Sequence, residues 1–239
     1  PYGYRPREAA ETGPANGTAF VLPDAPEEPV APLSGVEDRL YVAGYTFDSA
    51  RVTDALVAAA ERGADARVLV EGSPVGGFPA ESEPHLDRLA AAGVEVRVLD
   101  GPRTRFAFHH AKYAVADDHA VVLTENWKPA GTGGAGSRGW GVTLRDGGAA
   151  DELAALFERD ATAVDARPWS AFAANASFHG GDPAAGSYPA RFDPVTFADA
   201  RVEVLTTPGN AEDRIVARVD AADERVLGVV PRTGGADQR

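Results

Sequence analysis

Residues 108–140 read FHHAKYAVADDHAVVLTENWKPAGTGGAGSRGW, and this stretch carries the strongest signals of fold and function in the chain. Two apolar runs, 112–116 and 120–124, predict neighbouring strands joined by a turn that begins at Asp117. His110 and Lys112 lie two residues apart, so in an extended strand both side chains leave the same face. The pattern therefore predicts a polar pair on one face of an otherwise apolar hairpin.

A histidine and a lysine side by side, with Asn126 nearby, suit chemistry at a phosphate group. A neutral imidazole can attack phosphorus, while the Lys112 ammonium and the Asn126 amide stabilise charge on the non-bridging oxygens. With five His, two Lys and 239 residues, a His two places before a Lys is expected about 0.04 times by chance. The pairing of His110 with Lys112 therefore indicates a site rather than an accident.

Strands alternate with amphipathic helices on the upstream side of this stretch. Apolar runs predict strands at 40–47, 66–70 and 94–99, and a helix capped by Ser49 follows the first of them. Further signals predict a helix over 82–92, a strand over 140–144 and a helix beginning at Asp151. This order predicts an α/β fold, a layered mixed β-sheet flanked by helices.

Composition shifts divide the chain into four segments. Residues 1–16 are predicted to be a leader or linker, 17–165 a first domain, and 166–200 a connection rich in Ala, Gly, Pro and Ser. The pattern of residues 23–42 is repeated in 208–229, so 201–239 is predicted to begin a second, similar domain that is incomplete. Because Pro1 is not a translation start, we leave localisation in the cell open.

The overall charge is unusual. The 36 acidic residues outnumber the 23 basic ones, giving a net charge of −13, and only Lys112 and Lys128 are lysines. Such a composition predicts a protein adapted to high salt, where repulsion between surface charges is screened; an acidic protein from a GC-rich genome is the alternative. The composition provides no broad basic face for nucleic acid, no cysteine chemistry, and no apolar run of membrane-spanning length.

The elements His110-x-Lys112-x4-Asp117 and Asn126-Trp127, with a glycine-rich stretch after them, resemble the HKD signature of the phospholipase D superfamily. The run of strands and helices over 40–99 resembles the first half of that fold. The resemblance implies a phospholipase D-like fold with one full half and the start of a second. It implies a phosphodiesterase that needs neither metal nor other cofactor and works through a phosphohistidine intermediate.

In that scheme His110 is the nucleophile, Lys112 and Asn126 hold the phosphate, and Asp117 orients or tunes the site. The family builds one site from two HKD motifs, and the second histidine acts as acid and then as base. This chain contains one His-x-Lys. The second motif is therefore expected in a missing C-terminal half or in the partner of a homodimer.

The sequence also departs from the family pattern around the glycines. Glu125 brings a negative charge close to the predicted phosphate site, and the usual Asn-Arg-Glu is replaced by residues 137–139, Ser-Arg-Gly. Thr124 keeps a hydroxyl and Arg138 offers a phosphate contact. These two are candidate substrate-binding residues, together with the aromatic residues Trp127 and Trp140, which either pack the site wall or stack on a base.

Other features admit a second interpretation. His109 is expected to be packed on the opposite side of the strand, and the glycine run 131–136 is expected to be a flexible loop at the rim of the site. A metal site is the less favoured alternative for the histidines and carboxylates at 109–110 and 118–119, because adjacent residues diverge in a strand.

Taken together, these patterns predict a phosphodiesterase that hydrolyses a P–O bond, slightly favoured as a nuclease. A phospholipid hydrolase or phosphatidyl transferase is the alternative enzyme, since nucleic acid and phospholipid are both substrates of the family. The alternative from another class is a noncatalytic binding or assembly module with a degenerate HKD half.

Overall fold

The computed structural model describes residues 10–132, 134, 136–181, 186 and 189–227. Within them lie a 3₁₀ turn at Ala31–Leu33 and the following helices and strands. The helices are α1 (Ala50–Glu61), α2 (Ser82–Ala91), α3 (Pro129–Thr132), α4 (Gly147–Ala161), α5 (Trp169–Ala173) and α6 (Ala211–Asp220). The strands are β1 (Ala10–Glu11), β2 (Ala15–Leu22), β3 (Arg39–Gly44), β4 (Asp65–Glu71), β5 (Phe78–Pro79), β6 (Glu95–Leu99), β7 (Tyr113–Ala116), β8 (His119–Leu123), β9 (Gly139–Arg145), β10 (Ala166–Pro168), β11 (Phe178–His179), β12 (Val195–Ala200) and β13 (Glu203–Val204).

A nine-stranded mixed sheet forms the centre of the larger of two compact units, which contains the described residues up to Val204. Its strand order is β10-β6-β4-β3-β7-β8-β9-β2-β12. Strands β3, β4 and β6 run parallel, and the other pairings are antiparallel. This architecture confirms the predicted α/β class with a layered mixed sheet flanked by helices.

The two faces of the sheet each bury an apolar layer. Successive residues of β3 point to opposite faces, so Val42 packs with Leu56 of α1 and Leu86 of α2, whereas Tyr41 stacks on Phe157 of α4 with 4.9 Å between ring centroids. All of these side chains are buried. The helices are therefore held by the continuous apolar stripes that the sequence periodicity predicts.

Helix α1 shows how closely local signals match the structure. Ser49 caps it, and its hydroxyl accepts the Val52 N–H at 3.4 Å, while Gly63 follows the helix with φ +90°. The hydroxyl of Thr132 in α3 also donates to Ser49 Oγ at 3.2 Å. The same side chain thus serves the start of α1 and the segment downstream of β8.

Three segments outside the predicted elements join the sheet. Strand β2 begins at Ala15, inside the residues predicted to be a leader, and lies between β9 and β12. Strands β10 and β12 both come from 166–200, which the composition predicts to be a connection. The smaller unit contains α6, and the beginning of a second domain at 201–239 stays a prediction.

The topology determines where the motif lies. The parallel strands β3, β4 and β6 end at one edge of the sheet, and β7 runs antiparallel to β3 with Tyr113 opposite Ala43. The amino end of β7, preceded by His110 and Lys112, is therefore at the carboxyl edge of the parallel strands. Ligands bind at this edge in open α/β sheets.

Candidate active site

His110 and Lys112 lie in the segment that leads into β7, not inside the strand as predicted, because β7 begins at Tyr113. The carbonyl of Lys112 still accepts the Leu123 N–H at 2.9 Å, so the backbone continues beside β8. The Lys112 ammonium donates to the His110 carbonyl oxygen at 2.8 Å. Lys112 is buried and His110 is exposed, so the two residues adjoin each other but differ in their access to solvent.

The side chain that joins the pair is Tyr45, which follows β3 and was not among the predicted site residues. Its ring centroid is 4.4 Å from that of the His110 imidazole, and Lys112 Nζ lies 5.3 Å from the same ring. The Tyr45 hydroxyl accepts the Val75 N–H at 2.6 Å. The sequence feature that could have indicated Tyr45 is its place as an aromatic residue at the carboxyl end of a buried parallel strand.

The surroundings of His110 and Lys112 favour a neutral imidazole and a charged ammonium. Burial lowers the pKa of Lys112 to about 8, although the carboxylate of Glu125 opposes that shift. Burial and the neighbouring charges of Lys112 and His109 lower the pKa of His110. At neutral pH the imidazole is therefore neutral and able to act as a nucleophile, while the ammonium beside it remains charged.

A buried polar network anchors the segment that carries the motif. Glu71, at the end of β4, accepts the backbone N–H of His109 at 2.6 Å and that of Ser73 at 2.8 Å. The His109 side chain is buried with Nε2 3.7 Å from an oxygen of Asp160, and Arg105 donates to the same carboxylate at 2.9 Å. His109 is packed, as predicted, and the network orients the backbone next to His110.

Asn126 and Trp127 have opposite surroundings. Trp127 is fully buried, and its indole N–H donates to the Ala43 carbonyl at 2.8 Å. Trp127 is therefore part of the core, and its assignment to substrate binding is wrong because no face of the ring is open to a ligand. The side-chain Oδ1 of Asn126 is buried without a hydrogen-bond partner among the described residues. As an amide oxygen, this atom keeps the capacity to accept a hydrogen bond from a ligand.

Asp117 lies at the other end of β7, roughly 16 Å from Lys112 at the usual rise per residue of a strand. Its carboxylate accepts the backbone N–H groups of Glu37, Asp38 and Arg39 at 2.9–3.0 Å. Burial opposes its ionisation, but these three N–H groups lower its pKa. Asp117 holds the start of β3 and is not brought to the His110 imidazole, because a straight strand separates them.

The other candidate side chains make contacts of their own. The Thr124 hydroxyl accepts the Trp140 N–H at 2.9 Å and so serves the pairing of β8 with β9. Arg138 contacts the carboxylate of Asp24 at 3.4 Å, and its guanidinium lies 5.9 Å from the ring of Phe192. Of this group, Trp140 presents an open aromatic side chain, 41% exposed.

Two further expectations concern the histidines and the glycine run. His119 begins β8 and pairs with Asp118, so 118–119 lie at the opposite end of β7 from 109–110 and the four side chains cannot share a metal. In the run 131–136, the first two residues end α3, and residues 133 and 135 lie outside the described part. None of the helices in the described residues is long and apolar enough to span a membrane.

Comparisons with solved structures agree with the fold. Nuc from Salmonella typhimurium, described as a phospholipase D family member, is 17% identical, with 68% of this chain and 99% of that chain covered and a TM-score of 0.54. NucT from Helicobacter pylori is 14% identical, with coverage of 68% and 100% and a TM-score of 0.52. At this level of identity the two structures share the fold. No curated protein sequence matches the chain.

The sequence of residues 31–161, more than half of the chain, matches the family described as "Cardiolipin synthase, PLD-like domain". The match begins in the 3₁₀ turn and ends with α4, so it includes both His110 and Lys112. The chain therefore belongs to this PLD-like domain family of the phospholipase D superfamily.

Proposed function

We propose that the chain carries one half of an HKD phosphodiesterase site and that His110 is its nucleophile. The observation that carries the proposal is the meeting of His110, Lys112 and Tyr45 at the carboxyl edge of the parallel strands. A neutral, exposed imidazole beside a buried ammonium combines a nucleophile with a fixed positive charge for the non-bridging oxygens.

The proposed reaction has two displacements. In the first, an imidazole nitrogen of His110 forms a bond to phosphorus while the P–O bond to the leaving group breaks and the leaving oxygen takes a proton. In the second, water attacks phosphorus and gives a proton to the group that protonated the leaving oxygen, the N–P bond breaks, and a phosphomonoester and free imidazole result. Lys112 and Asn126 stabilise the phosphoryl oxygens in both steps. The proton donor to the leaving group is a second histidine, supplied by a C-terminal half or by a homodimer partner.

Nucleic acid is our first choice of substrate. Two exposed aromatic side chains adjoin the motif: Phe108, whose ring is 6.1 Å from that of Tyr45, and Trp140, whose backbone pairs with Thr124. Exposed rings of this kind stack on unpaired bases without regard to sequence. The net charge of −13 opposes nonspecific attraction to a polyanion, so such binding should be local and should persist in high salt.

A phospholipid hydrolase or phosphatidyl transferase is the second candidate, and the description of the matching family favours it. The two substrate classes share a phosphodiester, so the proposed chemistry at His110 is the same for both. Assays with single-stranded DNA and with phosphatidylglycerol vesicles separate them. A lipid product that carries a second phosphatidyl group would identify the transferase.

The test of the mechanism uses bis(para-nitrophenyl) phosphate in high salt. We expect wild-type protein to release para-nitrophenol and to form a phosphoryl adduct that mass spectrometry locates at His110. His110→Ala should abolish both signals, and His119→Ala, at the far end of β7, should change neither.

Unchanged turnover in His110→Ala would rule out this nucleophile. Absence of both turnover and adduct in the wild-type protein, both as a dimer and when joined to a second HKD half, would favour the noncatalytic module instead.

A further inference from the structure

A pocket of about 360 Å³ shares the loop that follows β4 with the candidate active site. Residues 72–74 of this loop line the pocket, and further lining residues come from the end of β6 and from β10, α5 and β11. The same loop contacts Tyr45, whose hydroxyl accepts the Val75 N–H at 2.6 Å. One short segment therefore borders both places.

The strand order places this pocket on the same edge of the sheet as His110. Strands β7, β3, β4 and β6 are neighbours in that order, and the pocket is lined by residues that follow the carboxyl ends of β4 and β6. At about 4.8 Å between neighbouring strands, the three steps from β7 to β6 cover roughly 14 Å. A nucleic acid strand with a rise of about 3.4 Å per nucleotide spans that distance in roughly four nucleotides.

The first of two flat polar groups in the pocket is the imidazole of His179, in β11. It lies against Gly77, because a Cβ atom added there would be 2.3 Å from the ring. Gly77 has φ +89°, so glycine suits both this backbone conformation and the close approach of the ring. The His179 carbonyl accepts the Ala80 N–H at 2.9 Å. His179 is exposed, so a ring in a defined place is accessible to a ligand.

The second flat group is the guanidinium of Arg167, in β10. Its Nη1 donates to an Asp100 carboxylate oxygen at 2.7 Å, and its Nη2 donates to the Ala171 carbonyl at 3.4 Å. The side chain is 40% exposed, so these bonds hold the guanidinium while part of its surface stays open to solvent. Because Asp100 balances its charge, Arg167 offers a flat surface rather than a net positive charge.

We propose that this pocket is a subsite for an unpaired base of a single-stranded nucleic acid whose scissile phosphate lies at His110. Unpaired bases stack on imidazole rings and on guanidinium planes, and both line this pocket. Asn175 and Ser177 add an amide and a hydroxyl, which hydrogen-bond to the edges of bases. The inference deepens the proposed function and rests on it for the choice of nucleic acid as substrate.

Stacking also suits the charge of the chain. A net charge of −13 opposes the attraction of a polyanion, and a contact made by stacking neutralises no phosphate. Binding at this subsite should therefore persist in high salt, where contacts between cations and phosphates weaken.

Fluorescence anisotropy of a labelled single-stranded DNA of about ten nucleotides, in molar KCl, tests the subsite without turnover. His179→Ala should raise Kd about fivefold to tenfold, because stacking of one base is lost. His179→Phe keeps a flat ring and should restore most of the affinity. His119→Ala, which removes a half-buried imidazole at the far end of β7, is the matched control and should leave Kd unchanged.

Three results would overturn the proposal. They are an unchanged Kd in His179→Ala, failure of His179→Phe to restore the affinity, and a wild type that binds no oligonucleotide. Binding of phosphatidylglycerol vesicles that is lost in His179→Ala, without binding of DNA, would assign the pocket to a lipid headgroup instead.

A double variant tests Arg167 without leaving an unpaired charge. Arg167→Gln with Asp100→Asn replaces the ion pair by two amides that hydrogen-bond to each other. We expect its Kd for the oligonucleotide to rise about fivefold, with an unchanged circular dichroism spectrum. An unchanged Kd in the folded double variant would contradict the proposal, and if the variant does not fold, the two His179 variants decide.

Kinetics separate failure of the subsite from failure of the proposed function. His179→Ala should lower kcat/KM for the oligonucleotide about fivefold relative to kcat/KM for bis(para-nitrophenyl) phosphate, which is too small to reach both places. If the wild type hydrolyses both substrates and this ratio does not change, the subsite fails and the proposed function stands. If His110→Ala stays active while His179→Ala loses affinity for the oligonucleotide, the nucleophile assignment fails and the subsite stands.

Discussion

At the residue scale, the site combines one exposed and one buried member of the motif through a third residue. The Tyr45 ring contacts the imidazole of His110 and lies near the ammonium of Lys112, while its hydroxyl binds the backbone of Val75. An aromatic face attracts a cation, and more strongly where water is excluded. Tyr45 therefore has two separable functions, one in the ring and one in the hydroxyl.

Substitution of Tyr45 separates these functions. Tyr45→Phe keeps the ring and should retain most of the activity, because it removes only the bond to the Val75 N–H. Tyr45→Leu should lower kcat by about threefold to tenfold, since a lost cation–π contact of about 1 kcal/mol corresponds to that range. Turnover of bis(para-nitrophenyl) phosphate measures both variants. Equal activity of Tyr45→Phe and Tyr45→Leu would show that the ring does not contribute to the site.

Asp117 illustrates a motif residue with a structural task. It has φ +52° and accepts three backbone N–H groups, so Asp117→Ala leaves those groups unpaired and places alanine in the left-handed region. We expect this variant to lose about 2–4 kcal/mol in free energy of unfolding, measured by urea denaturation. Turnover of bis(para-nitrophenyl) phosphate by the folded variant should not change. A lower kcat in the folded variant would show that Asp117 acts on the site after all.

The contacts of Asp117 should also make the free energy of unfolding depend on pH in the acid range. Because the pKa of Asp117 is lowered in the folded protein, its contribution is present above the pKa of the unfolded chain and is lost as pH falls through the folded pKa. Asp117→Asn should reduce this pH dependence between neutral and acid pH.

At the scale of elements, the end of β4 supports the segment before β7. Glu71 binds the backbone N–H of His109 and of Ser73, so one carboxylate joins the loop after β4 to the residue next to the nucleophile. The ion pairs of Arg105 with Asp160 and Asp165 hold the same segment from the side of α4. Irregular backbone at the edge of the sheet is thereby given a defined conformation.

Glu71→Gln tests this support. Replacing one oxygen by an NH₂ group leaves one of the two backbone N–H groups without an acceptor, at a cost of about 1–3 kcal/mol in free energy of unfolding. We expect kcat to fall more than KM rises, since the imidazole rather than a binding contact is displaced. Urea denaturation and steady-state kinetics measure the two effects. A loss of stability with unchanged kcat would show that Glu71 stabilises the fold and does not position the nucleophile.

At the scale of the whole molecule, the charge of −13 governs the response to salt. Raising KCl from low concentration to the molar range should raise the midpoint of thermal unfolding by about 2–10 °C, because screening of self-repulsion by about 1–3 kcal/mol has that effect on a chain of this size. Calorimetry at neutral pH measures the change. Near pH 4.8, the sequence pI, the same salt step should have much less effect. A lower midpoint in salt at neutral pH would contradict the expected adaptation.

The amino-acid sequence by itself determined the α/β class, most strands and helices of 40–161, and the pair His110 and Lys112, because periodicity, caps and residue spacing are local properties. His109 is packed as predicted, but strand alternation is not the reason, because β7 begins at Tyr113 and His109 lies before it, against Asp160 of α4. The tertiary structure decided what depends on contacts distant in sequence. Tyr45 lies next to Lys112 only because β3 and β7 are neighbours in the sheet, Trp127 is buried against β3 and the residues that follow it, and the strand β7 separates Asp117 from the site it was expected to tune.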